Sequence, residues 1–580
     1  MFIRPCYKRK NGKKHAYWAL VESYRTERGP RQRVVAYLGQ LKPSERLGVK
    51  QAAGGLGKTT FKQLQLFDSS ADPEPEWVEI DAAGVRVENE LDFGGPWLAL
   101  QLIKALKLDS LFETMMPPGR EGVPWSKMAL GLIICRLCHP SSELYIAEHY
   151  YAKTALPELL GIPAEKVYDQ RLYRALDKLL THKEALEKHL KERLGTLFNL
   201  QYDLLLYDVT STYFEGQCQG NSLARRGYSR DNRPDCKQVC IGLVVSKCGM
   251  PLGYDVFEGN RNDVKTWQHI VTTMESRYGK ADRIWCGDRG MMSQENLAFM
   301  QSEDRKYIIG ASKSSLKKFE RELLQDNWQT IRDGLEVKLC PSPEGTGEMY
   351  ILCRSRDRRE KEKAMHQRFE QRIDAALEKL QASCEKRRYK KETVDRKVGS
   401  IMAKNSRGAG LYEITVKQTD AGATLAWSKN EKWRDWSQLN EGCYLLRTNV
   451  TDWSPAELWQ AYIQLTEAEA AFRIHKSDLK IRPVWHQKED RVLAHIFVCF
   501  LAYVLWKILF QMTQAAGLGD EPRRIFDELG TISLVDVILP TRNGVDIRRR
   551  CVRKPTEHQA ILLSRLGLTI PSQLRNGTEM

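Results

Sequence analysis

The sequence lacks any apolar run long enough to cross a bilayer. Its longest, Ile496 to Trp506, is bounded by His495 and Lys507, whereas a spanning helix needs about 20 residues. A buried core helix near 492–512 is the expectation, and no membrane partner. The opening stretch MFIRPCYKRKNGKK has no apolar segment behind its charges, so no signal peptide is expected. Fourteen cysteines without secretion then predict reduced thiols in a cytoplasm. Zinc-ligand spacing is also missing from the region that matters below: Cys236-x3-Cys240 with Cys218 is the local cluster, and Cys240 falls within a predicted strand. Cys135-Arg-Leu-Cys138-His139 matches a haem-attachment string, but it sits in the apolar helix GLIICRLCH and reads as coincidence.

Acidic residues are scarce in the first 50, where only Glu22, Glu27 and Glu45 face a long series of lysines and arginines. Across all 580 residues the net charge is +16, which points to a polyanionic partner, most simply nucleic acid. That length implies several domains. Trp18 to Tyr24 and Arg33 to Leu38 are β-rich runs around the turn ERGPRQ, predicting a small two-stranded basic module. With the connector that follows, it occupies residues 1–66. The segment 67–95, containing SSADPEPE, reads as a linker.

Residues 96–200 have helical periodicity, with Leu98, Leu102 and Leu106 repeating at four. Leu186, Leu190 and Leu194 do the same behind a capping box Thr181-x-x-Glu184. Between them Arg171, Arg174 and Lys178 make a basic stripe, the best candidate for a helix in a DNA groove, though an ordinary solvated face is the somewhat stronger reading.

At Tyr202 the pattern changes. LLLYDVT (204–210), KQVCIGLVV (237–245) and PLGYDVF (251–257) read as three antiparallel strands. A helix capped by Asp263 follows, then the short strand RIWCGD (283–288), a helix begun by Ser293, and the strand KYIIGA (306–311). This is the element order of an RNase H-like α/β core, a mixed five-stranded sheet with helices, over residues 201–311. In that fold the first and fourth strands are neighbours, which would place Asp208 and Asp288, both read as strand-end carboxylates, side by side.

A β-rich insertion, 312–453, interrupts the core. It contains a charged helix over 361–390, then strands at 411–416, 423–427 and 444–447, with Trp427, Trp433 and Trp436 among lysines and arginines. The core resumes over 454–515, and 516–580 is a mixed tail. Ser454-Pro455-Ala456-Glu457 is a helix start, and one helix is expected to carry Tyr462, Glu469, Arg473 and Lys476. Tyr462, Glu469 and Lys476 recur at seven and would share a face. Glu467 would point about 160° away from Glu469. Three carboxylates, Asp208, Asp288 and Glu469, suit a pair of hard divalent ions, which phosphodiester chemistry needs about 3.5–4 Å apart.

The stretches LLLYDVTSTYFEG (204–216), YSRDNRPDCKQVCIGL (228–243), GYDVFEGNRNDVKTW (253–267) and IWCGDRGMMS (284–293), with the helix after Ser454, resemble the DDE transposases of bacterial insertion sequences, in the insertion sequence four superfamily. That superfamily carries Tyr-x2-Arg-x3-Glu-x6-Lys. Tyr462, Glu469 and Lys476 match in register, Leu465 stands at the Arg position, and Arg473 is its candidate substitute. The resemblance implies a metal-binding catalytic triad of Asp208, Asp288 and Glu469 using two Mg²⁺, or Mn²⁺. It implies DNA contacts from Tyr462, Arg473, Lys476 and Arg289, and stacking of a flipped base on Trp427, Trp433 or Trp436, which also read as a plain hydrophobic cluster. It further implies cut-and-paste transposition in the bacterial cytoplasm, near the nucleoid, by a homodimer holding double-stranded terminal inverted repeats and target DNA. Two other readings stay open. AAGGLGKTT, with Lys58 and Thr59, approximates a phosphate loop, which would make the chain an ATPase helper of transposition. Leu465 leaves room for a DNA-binding relative that no longer cuts.

Overall fold

The computed structural model describes residues 2–10, 13–26, 29–39 and 79–574, apart from 201, 281, 421, 542, 543 and 545. Lys58 and Thr59, with the rest of the connector, lie outside the described residues. The N-terminal module has three strands, β1 Phe2–Lys10, β2 Lys13–Thr26 and β3 Gly29–Gly39, in an antiparallel meander. The additional strand is β1, whose alternation is hidden among basic residues. Its pairing with β2 ends at Lys10 opposite Lys13.

The expected linker is not all linker: β4 spans Arg86–Asp92. Helices α1 Gly94–Ala105, α2 Trp125–Cys138, α3 Asp169–Leu180 and α4 Lys183–Phe198 follow, their leucines buried in the main core. The box at Thr181 does not form. His182 precedes α4 without a side-chain cap, and the Thr181 hydroxyl donates to the Lys178 carbonyl at 2.8 Å.

The next five strands are β5 Leu204–Tyr213, β6 Gln238–Ser246, β7 Pro251–Glu258, β8 Ile284–Gly287 and β9 Lys306–Gly310. Helix α5, Trp267–Tyr278, precedes β8, and α6, Gln294–Ser302, precedes β9. The spatial order is β9-β8-β5-β6-β7, with β5 parallel to β8 and antiparallel to β6. Every residue of β6 is buried, the polar Gln238 and Ser246 at its ends included, because helices cover both faces of this interior strand. Asp263 does not cap α5. Asn262 caps the 3-10 turn that precedes the helix, accepting from the Val264 N–H, and Asp263 pairs with Arg230.

The insertion is less separate than expected. β10 Gln329–Arg332, β11 Leu335–Pro341, β12 Met349–Ser355 and, after the insertion's helices, a strand at Cys443–Thr448 extend the core sheet beyond β9 to nine strands. Helices α7 Arg356–Lys386 and α8 Lys391–Lys404, the hairpin β13 Tyr412–Thr419 with β14 Gly422–Lys429, and part of helix α9 Glu431–Asn440 build a satellite core of their own. The closing strand Cys443–Thr448, β15, pairs with β9 and returns the chain to the core.

The single helix expected after Ser454 is two. α10, Pro455–Ile463, has the predicted capping box, and α11, Thr466–Ser477, follows a tight break. At the break Leu465, Glu467 and Ala468 each donate their N–H to the residue three back, and Leu465 is buried. Helix α12, Glu489–Ala515, is long and apolar enough to cross a membrane by composition, yet 94% of its most apolar window is buried inside the protein. The tail supplies β16 Ser533–Pro540 and β17 Asp546–Val552, and β16 pairs with β4, so the expected linker and tail meet in one sheet.

Candidate active site

Asp208 lies in the middle of β5, not at its end, and is the one partly exposed residue between Leu204 and Thr212. Parallel pairing runs from Leu204 opposite Ile284 to Tyr207 opposite Gly287. The residue after this last pair is a carboxylate on each side, Asp208 within β5 and Asp288 just past the end of β8, and the Asp288 charge reaches Asp208. Gly287 admits no side chain: a Cβ there would come within 2.4 Å of the Trp267 ring. Asp288, just past the end of β8, caps the turn Arg289–Met291, accepting the Arg289 N–H at 2.6 Å.

Glu469 arrives on α11. Ala468, Ala471, Phe472 and His475 form the buried stripe that seats this helix on the sheet, which leaves Glu469 and Arg473 exposed beside it. Glu467 instead faces Lys507, 3.4 Å away. The acids are electrostatically coupled. Burial, together with the charges of Glu469 and Asp288, lifts the Asp208 carboxyl to about 7, against the Val209 N–H and the Arg230 guanidinium, which favour its ionised form. The site is open. Among the described residues, the group of three His, Cys, Asp or Glu donor atoms mutually within 4.8 Å is Glu143, His486 and His495, not the acidic triad. Three carboxylates whose charges meet at Asp208, offset in part by Arg230, have the oxygen-donor chemistry that suits hard divalent cations, which keep water and phosphate among their ligands.

The predicted cations divide. Tyr462, at the end of α10, reaches the site from the β9 side: a Cβ on Gly310 would lie 2.7 Å from its hydroxyl and 3.2 Å from the Arg289 backbone nitrogen. Burial, then the Asp288 charge, holds the Tyr462 hydroxyl above its usual range. Arg289 and Arg473 are exposed at the site. Lys476 is not free there. Its ammonium donates to Asp231 at 2.8 Å, with the lysine side chain 12% exposed and the aspartate 2%. Leu465, at the family's Arg position, is core.

Farther away, Arg174 and Lys178 are exposed on α3, while Arg171 donates to the Lys166 carbonyl and covers the Tyr168 ring. The three tryptophans do not form one cluster. Trp427 and Trp433 pack on the satellite core, and Trp436 packs on the β12–β15 core.

Sequence reasoning missed Arg230, Asp231 and Arg482. Arg230 donates to both oxygens of Asp263, at 2.6 and 2.5 Å, and Arg482 joins Lys476 on Asp231. The stretch YSRDNRPD was in view, but no spacing rule connects it to residues more than two hundred positions later.

Residues 199–505 match the family described as the transposase DDE domain, and residues 3–63 match the IS1634 family transposase N-terminal domain. No curated protein matches the chain. A cryo-EM structure of the piggyBac transposase synaptic complex with hairpin DNA aligns over 75% of this chain and 79% of that one, at 8% identity and a TM-score of 0.35. With a DDE domain over more than half its length and an insertion-sequence N-terminal domain before it, the chain belongs to the DDE transposases of bacterial insertion sequences.

Proposed function

We propose that the chain performs cut-and-paste transposition: it hydrolyses a phosphodiester at each element end, and the freed 3′-hydroxyl attacks target DNA. The observation that carries this is the in-register pairing of β5 with β8, with the Glu469 charge reaching Asp208. The strand order is that of an RNase H-like fold. Asp208, Asp288 and Glu469 would hold two Mg²⁺, or Mn²⁺. When bound, such ions supply the Lewis acidity that activates the attacking oxygen and stabilises the leaving one. The protein's own part is to hold DNA against this site. Arg289 and Arg473 meet phosphates at the cut, the Tyr462 hydroxyl bonds to the strand beside Asp288, and Arg174 and Lys178 engage the duplex outside it. Exposed edges of the insertion tryptophans would contact element ends. Pairing of two ends implies a homodimer.

The ATPase reading loses its support, because the stretch around Lys58 falls within the N-terminal transposase match. The test is cleavage of a duplex carrying the inverted repeat that flanks the reading frame, in Mg²⁺ or Mn²⁺. Asp208→Ala, Asp288→Ala and Glu469→Gln are each expected to abolish cutting while retaining DNA binding. A variant that still cuts removes its residue from the triad, and a wild-type chain that binds without cutting defeats the nuclease reading.

A further inference from the structure

Asp231 stands in the loop that follows β5, buried, with Lys476 and Arg482 on its Oδ1 and its Oδ2 without a partner. Lys476 is in the last turn of α11, two turns beyond Glu469, and Arg482 is in the segment that leaves the helix. One carboxylate therefore clamps the end of this helix and the chain leaving it. The loop itself is anchored beside the catalytic strand. The Arg230 N–H donates to the Ser211 hydroxyl at 3.4 Å, three residues past Asp208, and the Arg230 side chain holds Asp263.

We infer that Asp231 is a positioning residue: through Lys476 and Arg482 it sets where α11 lies along β5, and hence where Glu469 meets Asp208 and Asp288. Lys476 is then an anchor, not a phosphate contact. A buried ammonium already bonded to a carboxylate has lost the freedom to neutralise DNA, whereas Arg473, exposed one turn from Glu469, keeps it. A lone ion pair on a surface would carry no such role. This pair is enclosed, doubled, and spans the two segments whose relative placement makes the site. The inference rests on the triad reading above.

Two measurements on full-length Asp231→Asn, Lys476→Met and their double variant test it. The first is binding of a short end-containing duplex across a salt series without divalent ions. The second is the cleavage rate on saturating duplex as Mn²⁺ is raised. Expected are an unchanged slope of log affinity against log salt, a cleavage loss of about tenfold or more with a higher half-saturating Mn²⁺, and a double variant no worse than the poorer single one. Lys476 as a phosphate contact would lower the salt slope by about 0.9 in Lys476→Met alone, and that result overturns the inference. Losses that multiply in the double variant, or a lowered melting point with an unchanged Mn²⁺ midpoint, also overturn it. Should Asp231→Asn not fold, Arg482→Gln beside Lys476→Met makes the same comparison. If the wild-type chain cuts nothing, the triad reading has failed instead, and the salt slopes still report on Lys476.

Discussion

Replacing Asp208 with Asn should stabilise the metal-free protein while destroying its chemistry. The folded carboxyl is lifted from 3.8 to about 7, first by burial and then by Glu469 and Asp288. Such a rise corresponds to about 4 kcal/mol. Asp208 is partly open to solvent, and screening brings the expected effect to about 2 kcal/mol. The sign follows from proton linkage. The unfolded carboxyl ionises near 3.8 and the folded one near 7, so the stability the acid form provides is intact below 3.8 and is lost as pH rises through about 7. Asparagine keeps the side-chain oxygen that accepts the Val209 N–H, at 2.8 Å in the wild type, and carries no charge. Its advantage over wild type should be near zero at pH 4, grow with pH, and level off above 7. Urea unfolding in EDTA across that range measures it. Millimolar Mg²⁺ or Mn²⁺ at pH 8 should shrink the gap, because bound cations stabilise only the wild-type site. An Asp208→Asn protein equally or less stable than wild type at pH 8, or an advantage independent of pH, would refute the account of a crowded acidic site.

Glu467→Gln should leave cleavage of end DNA within about twofold of wild type, while Glu469→Gln abolishes it, since the two carboxylates face opposite sides of α11; equal losses in a strand-cleavage assay would mean the helix phase is misassigned. Gly287→Ala should cost about 1–3 kcal/mol in denaturant unfolding, because the new methyl meets the Trp267 ring at 2.4 Å. Arg174→Gln with Lys178→Gln should weaken duplex binding and reduce its salt slope by about 1.8, with the cleavage rate at saturating DNA unchanged; an unaltered slope would make the α3 stripe an ordinary solvated face.

Much of the catalytic sheet is legible in the sequence because each strand is a short, nearly pure apolar run between turn residues. Short length and flanking turn residues separate LLLYDVT and KQVCIGLVV from the helices around them, and the element order then predicts that the first and fourth strands are neighbours. What was misread has local causes. The helix after Ser454 keeps its periodicity through Gln464 and Leu465, so nothing in the pattern announces a break. It forms because Leu465 is drawn into the core and the turn tightens around it.

The sequence by itself determined which side chains could do chemistry here: isolated carboxylates set against apolar runs, and an amphipathic helix carrying a third. Only the tertiary structure decided which of them meet and which cations remain free. The pairing of β4 with β16, the four insertion strands joined to the core sheet, and the clamp of Asp231 on Lys476 and Arg482 all connect segments far apart in the chain. Contacts of that kind depend on packing between elements, which no local periodicity encodes. They set a lysine that reads as a DNA contact in the sequence against the buried Asp231.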